Sequence, residues 1–100
     1  QEKPLTISTI QRKVCDYFKL SPADLSSKSR TKEVAQARQI CMYLARELTT
    51  MSLPKIGENF GNRDHTTVMY ACDKVKSQIK TDSEIKNIIN ILIANIKQEG

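Results

Sequence analysis

Apolar residues recur every three or four positions along most of the chain, the spacing that places side chains on one face of an α-helix. No segment shows a convincing strand pattern. The segments with the helical spacing are residues 7–18, 34–48, 64–80 and a last one that begins at Thr81 or Asp82. In the two middle helices we expect these side chains to be buried: Val34, Ala37, Cys41, Leu44, Leu48, Val68, Ala71, Cys72, Val75 and Ile79.

Two shorter helices are predicted from their starting residues. Residues 21–25, SPADL, place a serine cap before a proline and predict a single helical turn. Ser52 is placed to cap a second short helix at about residues 53–60, whose proline falls in its first turn. Residues 26–32, SSKSRTK, contain no apolar side chain and predict an exposed basic loop between helices.

A helix-turn-helix follows from the order of these elements. Gly61 and Asn62 both accept a left-handed backbone, which predicts a turn at residues 61–63. The turn joins the short helix at about 53–60 to a longer helix at about 64–80. The sequence therefore predicts an all-α fold, a small bundle of about six helices that contains a helix-turn-helix.

Composition and charge agree with one small domain that binds a polyanion. The chain has 100 residues, with 39% hydrophobic and 27% charged side chains, as in ordinary globular domains. We expect residues 1–6 to be the remnant of a linker and residues 7–100 to form the domain. Residues 28–63 carry seven basic side chains against three acidic ones, a large part of the net charge of +5. Such focused positive charge favours nucleic acid or an anionic membrane.

Catalytic and metal sites find little support in the residue types. Cys15, Cys41 and Cys72 have no CxxC pairing, and a single histidine leaves a structural zinc site short of ligands. We expect three buried, free thiols. Paired carboxylates and a glycine-rich phosphate loop are also missing from the sequence, so we expect no enzyme activity and no metal.

Residues 64–67, Asp-His-Thr-Thr, begin the second helix of the helix-turn-helix. Asp64 could cap that helix by accepting the amide hydrogen of Thr67, or could face a base. His65 precedes Val68 by three positions, so its helical angle lies near the apolar stripe and favours a packed side chain. The first turn of a helix also commonly projects beyond the core. These alternatives stay open from the spacing alone.

Four segments together resemble the C-terminal DNA-binding domain (domain IV) of the bacterial chromosomal replication initiator DnaA. The segments are RQICMYLARELT at 38–49, SLPKIGENFG at 52–61, RDHTTV at 63–68 and YAC at 70–72. The resemblance extends from about Ile7 to about Lys80. The family usually has two glycines before RDHTT, whereas Asn62 replaces the second one here.

The resemblance implies two sets of DNA contacts. The residues implied to contact bases are Arg30 in the minor groove and, in the major groove, Asp64, His65, Thr66 and Thr67. The residues implied to contact the DNA backbone are Lys28, Arg38, Gln39, Arg46, Leu53, Pro54, Lys55 and Arg63. At about 100° per residue, Gln39 and Arg46 point away from the apolar stripe of the long helix, while Arg38 lies at its edge.

The resemblance also implies a function, partners and a location. The expected function is sequence-specific binding of double-stranded DNA at replication-origin elements, the DnaA boxes, which directs the initiation of chromosomal replication. The alternative is a helix-turn-helix used mainly for protein contacts, such as docking a regulator or assembling the initiator. We expect a monomeric domain in the bacterial cytoplasm, associated with the nucleoid, without a membrane role. No cofactor is expected in this segment, because ATP would bind in the family's separate nucleotide-binding domain.

Overall fold

The computed structural model describes residues 5–99, apart from the side chain of residue 99, and confirms the predicted all-α fold with a helix-turn-helix. The four-residue start of the predicted linker and residue 100 lie outside the described residues. The six helices are α1 (Ile7–Phe18), α2 (Pro22–Ser26), α3 (Lys32–Leu48), α4 (Leu53–Glu58), α5 (His65–Thr81) and α6 (Ser83–Glu99).

Polar side chains immediately before the helices determine where most of them begin. The hydroxyl of Thr6 accepts from the amide of Thr9 at 3.3 Å and caps α1. At α4, the hydroxyl of Ser52 accepts from the Lys55 amide at 3.3 Å. The Oδ1 of Asp82 accepts amide hydrogens of the first turn of α6, which decides between the two predicted starts of this helix. Each bond satisfies a donor that the helix itself leaves without a partner.

Helix α3 occupies the centre of the domain and packs against α1, α5, α2 and α4. One hydrophobic core joins all six helices. Its largest fully buried side chains are Phe60, Ile10, Leu25, Ile40, Met42, Leu44, Ile56, Leu92, Ile96, Val14, Val68 and Val75. The last residue of the predicted apolar stripe is Leu48 in α3 and Ile79 in α5. Both are only partly buried and pack against the margin of the core.

The short helix ends earlier than predicted. Helix α4 stops at Glu58, and Asn59 leaves the helical conformation with φ −85° and ψ 0°. This departure turns Phe60 into the core, where its side chain is fully buried. The Nε2 of Gln11 donates to the carbonyl of Asn59 at 2.8 Å and ties α1 to this point. The end of α4 is therefore held both by local backbone bonds, such as that from the Asn59 amide to the Ile56 carbonyl at 3.0 Å, and by a bond from α1.

The prediction of buried, free thiols is confirmed for Cys15, Cys41 and Cys72. Burial raises the pKa of all three thiols, to about 11 for Cys72. These cysteines therefore act as small apolar groups that pack within the helical core. Among the described residues, none of the helices combines the length and the apolar character needed to cross a membrane.

Candidate nucleic-acid interface

The turn between α4 and α5 uses two left-handed residues in succession. Gly61 has φ 76° and Asn62 has φ 57°, so Asn62 adopts the conformation expected of it in place of a second glycine. Beyond the turn, the amide of Arg63 donates to the carbonyl of Gly57 at 2.9 Å. A Cβ atom on Gly57 would lie 2.0 Å from the carbonyl oxygen of Arg63. The turn thus passes α4 at a distance that only glycine allows.

Asp64 caps α5, but through a different amide from the one predicted. Its Oδ1 accepts from the amide of Thr66 at 3.1 Å, whereas the Thr67 amide donates to the main-chain carbonyl of Asp64 at 3.0 Å. The Thr67 amide is thus already used by the first backbone turn. Hydrogen bonding from Thr66 lowers the pKa of the Asp64 carboxyl, with a smaller contribution from His65.

The structure decides between the two alternatives left open for His65, a packed side chain or one that projects beyond the core. The side chain of His65 is 60% exposed, and its Nδ1 lies 3.2 Å from the Oδ1 of Asp64. Thr67 is also exposed, while Thr66 is half-buried. The angle was misleading because His65 is the first residue of α5 and stands at the margin of the core, whereas Val68 in the same turn is fully buried. The tip of α5 consequently presents a carboxylate, an imidazole and a hydroxyl to the surroundings.

The basic loop is shorter than the predicted 26–32, because Ser26 ends α2 and Lys32 begins α3. The basic loop (residues 27–31) lies beside the turn between α4 and α5. It carries Lys28 and Arg30, both exposed, and its backbone is held by serine hydroxyl groups. The Ser29 amide donates to the Ser27 Oγ at 3.2 Å, and the Thr31 amide donates to the Ser29 Oγ at 3.4 Å. Hydroxyl groups of this kind replace backbone partners in irregular segments.

Two close approaches join the end of α2 and the basic loop to the helix-turn-helix. The Nη2 of Arg63 donates to the carbonyl of Ser27 at 2.6 Å, across 36 positions of sequence. A Cβ on Gly61 would lie 2.4 Å from the carbonyl oxygen of Ser26. The residues implied to read the minor and the major groove are therefore brought to neighbouring parts of one surface.

Arg38 is more deeply placed than the edge of the apolar stripe suggested. It is 8% exposed, and its guanidinium donates to main-chain carbonyls of α2 and the basic loop. Burial lowers the pKa of Arg38, and the charge of Arg63 lowers it further. The burial arises because α2 and the basic loop cover this face of α3. This position departs from the exposed one that a contact to the DNA backbone favours.

This arrangement was compared with known proteins. A model of the family described as "Bacterial dnaA protein helix-turn-helix" matches residues 7–75. The chain belongs to this family. The match includes both helices of the helix-turn-helix up to Val75 and stops before α6, in agreement with a resemblance that extends only to about Lys80.

Longer relatives carry the same segment. The chain is 54% identical over 92 residues to a "Chromosomal replication initiator protein DnaA" of Lactobacillus delbrueckii subsp. bulgaricus, covering 92% of this chain and 20% of the relative. It is 50% identical over 97 residues to the protein of that name from Lactobacillus johnsonii, covering 97% of this chain and 21% of the relative. The chain thus spans about a fifth of the length of these relatives.

A solved structure shares the fold as well. It is described as "crystal structure of DNA replication initiation factor" and is similar to this chain with a TM-score of 0.82 at 30% identity. The similarity covers 93% of this chain and 28% of that chain.

The other residues implied to contact the DNA backbone occupy varied positions in this DnaA-family domain. Arg46, Pro54 and Lys55 are exposed, whereas Gln39 and Leu53 are half-buried. Proline at 54 stands in the first turn of α4, where its missing amide hydrogen costs no helical bond.

A groove between α3 and α5 adds two residues that the sequence analysis did not identify. The groove encloses about 260 Å³ and has Thr67, Gln39, Tyr70 and Lys74 among its lining residues. Tyr70 is 69% exposed, the most exposed large hydrophobic side chain among the described residues. The available signal was the spacing of Lys74, seven positions after Thr67 and hence on the same face of α5.

Within residues 5–98, whose side chains the structure describes, no group of three or more His, Cys, Asp or Glu residues could hold a metal ion. The carboxylate of Asp64 and the imidazole of His65 therefore have no third ligand of these types beside them among the described residues. The exposed pair of Asp64 and His65 accordingly offers hydrogen-bond donors and acceptors to an external partner.

Proposed function

We propose that this domain binds double-stranded DNA sequence-specifically at replication-origin elements and thereby directs an initiator to the origin. The observation that carries the proposal is the exposed tip of α5, with His65 and Thr67 beside the basic loop that bears Arg30. In DNA-binding helix-turn-helix proteins, the start of the second helix meets base edges in the major groove. Membership of the DnaA family supports this placement.

The chemistry at the tip suits base recognition. Asp64 can accept a hydrogen bond from the exocyclic amine of cytosine, and His65 can donate or accept. Thr67 offers a hydroxyl and a methyl group that can pack on the methyl group of thymine. Thr66 is half-buried and would contact a base with its exposed part. Arg30 would enter the adjacent minor groove, most favourably at A·T-rich sequence, where the groove is narrow and its potential more negative.

The residues proposed to contact the DNA backbone come from the basic loop, from α4 and from the groove between α3 and α5. Lys28 extends from the basic loop, and Lys55 projects from α4, where its Nζ lies 3.7 Å from the Oε1 of Glu58. Both side chains of that pair are more than half exposed, so the ion pair opposes a phosphate only weakly. In the groove between α3 and α5, Gln39 and Lys74 add a polar and a basic group. Phosphate contacts of this kind set the register in which the bases are read.

Fluorescence anisotropy with an origin-type duplex and a scrambled duplex of the same composition tests the proposal. We expect His65→Ala and Thr66→Ala each to weaken binding to the origin-type duplex by about 1–3 kcal/mol and to leave binding to the scrambled duplex nearly unchanged. Ser77→Ala is the matched control, because Ser77 is exposed on α5 about three turns beyond the tip.

Two outcomes would contradict the proposal. An equal loss on both duplexes would mean that the tip does not read sequence. Similar weak binding of the unaltered domain to both duplexes would favour the alternative, a helix-turn-helix used for protein contacts. Salt dependence is a second readout, since each phosphate contact adds about −0.9 to the slope of log affinity against log salt.

Further features of the family are extended to this domain as predictions. We expect the isolated domain to be a monomer in sedimentation equilibrium and replication-regulatory proteins to use surfaces away from the DNA. We expect ATP to bind in the family's nucleotide-binding domain, outside this segment.

A further inference from the structure

We infer that Arg38 and Arg63 are positioning residues that fasten the basic loop to the helix-turn-helix, so that Arg30 and the tip of α5 approach DNA at a fixed separation. The inference rests on the proposed DNA-binding function. It assigns these two arginines a role different from the backbone contact that the resemblance implied.

Arg38 reaches from α3 to consecutive parts of the chain that precedes it. Its Nε donates to the carbonyl of Leu25 at 3.0 Å, within α2. Its Nη2 donates to the carbonyls of Ser27 at 3.0 Å and Ser29 at 3.2 Å, and a longer bond of 3.4 Å reaches the carbonyl of Asp24. One side chain, 8% exposed, therefore holds the end of α2 and the start of the basic loop against α3.

Arg63 holds the same loop from the other side. Its Nη2 donates to the carbonyl of Ser27 at 2.6 Å, and its Nη1 donates to the carbonyl of Phe60. The Ser27 oxygen therefore accepts from Arg38 in α3 and from Arg63 beside the turn. The Ser27 carbonyl thus links α3, which supports the basic loop, to the turn that precedes α5. Gly61 allows the approach, because any Cβ there would collide with the Ser26 carbonyl.

The two positive charges repel each other and are nevertheless kept together. The charge of Arg63 contributes to the lowered pKa of Arg38, while burial is the larger cause. Main-chain carbonyl dipoles offset the repulsion without neutralising either charge, as a carboxylate would. Both arginines can thus orient the loop and still add to the positive potential around it.

Arginine is needed at both positions for a geometric reason. A guanidinium presents several N–H groups in a rigid plane, so it can bond separate carbonyls at once. A lysine keeps the charge but concentrates it at one flexible point. Substitution of arginine by lysine therefore distinguishes a phosphate contact from a positioning role. A phosphate contact would keep much of its electrostatic attraction, whereas the hydrogen-bonded link between the basic loop and the turn would be lost.

The experiment compares Arg38→Lys and Arg63→Lys with Lys86→Arg, a charge-preserving control at an exposed position of α6. Amide hydrogen exchange of the DNA-free domain is measured first. We expect exchange in residues 28–31 to become about tenfold faster or more in both arginine variants, since local opening follows the loss of the bonds that oppose it. Exchange in α6 should stay unchanged, which shows that the fold is intact.

A double-mutant cycle then tests the effect on DNA. We expect Arg38→Lys to weaken binding to the origin-type duplex about tenfold, with an unchanged salt slope. In that background, Arg30→Ala should cost much less than it does in the unaltered domain, because a loosened loop no longer aims Arg30. The Lys86→Arg control should leave the cost of Arg30→Ala as it was.

The outcomes separate the inference from the proposed function. Unchanged loop exchange in both arginine variants would overturn the positioning role, whatever the DNA measurements show. Additive costs of Arg38→Lys and Arg30→Ala would overturn it as well. If the unaltered domain showed no preference for the origin-type duplex, the proposed function would fail, and hydrogen exchange would still support or overturn the link between the loop and the turn.

Discussion

Replacing Gly57 with alanine tests how tightly the turn is packed against α4. Two effects of opposite sign act at this position. Alanine favours the helix over glycine by about 1 kcal/mol, so the substitution would stabilise an unobstructed helix. At this position, however, the new Cβ would lie 2.0 Å from the carbonyl oxygen of Arg63 and 3.0 Å from its carbonyl carbon. Real Cβ atoms do not approach backbone so closely, and a backbone atom cannot rotate away as a side chain can.

The structural distances decide which effect is larger. The turn must move by more than 1 Å to reach ordinary contact, which stretches the 2.9 Å bond from the Arg63 amide to the Gly57 carbonyl. Overpacking typically costs about 1–3 kcal/mol, and a weakened hydrogen bond costs about 1 kcal/mol more. After subtraction of the helix-propensity gain, we expect a net loss of about 2 kcal/mol in the free energy of unfolding. For a domain of this size that lowers Tm by about 8–16 °C.

Thermal unfolding followed by circular dichroism measures the change. Asn90→Ala is the control, because Asn90 is exposed in α6 and its replacement should be neutral or slightly stabilising. The displaced turn should also weaken binding to the origin-type duplex more than binding to scrambled DNA, since it re-aims the tip of α5. A Gly57→Ala domain as stable as the unaltered one would refute the reasoning, because the turn would then have room that the structure does not show.

The remaining predictions concern the cap of α5 and the buried thiols. Asp64→Ser should keep the cap and hence Tm, and Asp64→Ala should lower Tm, while both weaken specific DNA binding; equal Tm values for the two variants would contradict the capping role. Because the pKa of Asp64 is lowered on folding, its contribution to stability is present above the unfolded pKa and is lost as pH falls through the folded pKa. Measurement of Tm against pH in the acid range checks this, since Tm should fall less steeply with pH in Asp64→Ser. Burial raises the pKa of Cys72 from 9.0 to about 11, so at pH 8 its labelling by a thiol reagent should be about 100-fold slower than in denaturant, and rapid labelling of the folded domain would refute this. The stability linked to that thiol is present below pH 9.0 and is lost as pH rises towards about 11.

Local sequence determined the helices and most of their ends. Helical spacing of apolar residues depends only on near neighbours, and caps such as Ser52 act within one turn. The left-handed turn at Gly61 and Asn62 was predictable for the same reason, because each residue's own backbone preference is local. The buried cysteines followed from their places within helical patterns, near other apolar residues.

Other features of the site were decided by the tertiary structure. The helical angle of His65 favoured burial, yet the side chain stands at the very start of α5 and is 60% exposed, although Val68 in the same turn is fully buried. Arg38 lay at the edge of a stripe, yet α2 and the basic loop cover it. An angle around a helix shows which residues share a face. It does not show how far the neighbouring elements extend over that face.

The same reason explains what the sequence determined about this protein as a whole. It predicted the six helices, the turn and, through a specific set of motifs, the DnaA family that the comparisons confirmed. It did not indicate that Ser27 would accept hydrogen bonds from two arginines, one in α3 and one beside the turn. Such a junction depends on chain segments that meet only after folding, so only the tertiary structure could decide where the basic loop stands relative to the tip of α5.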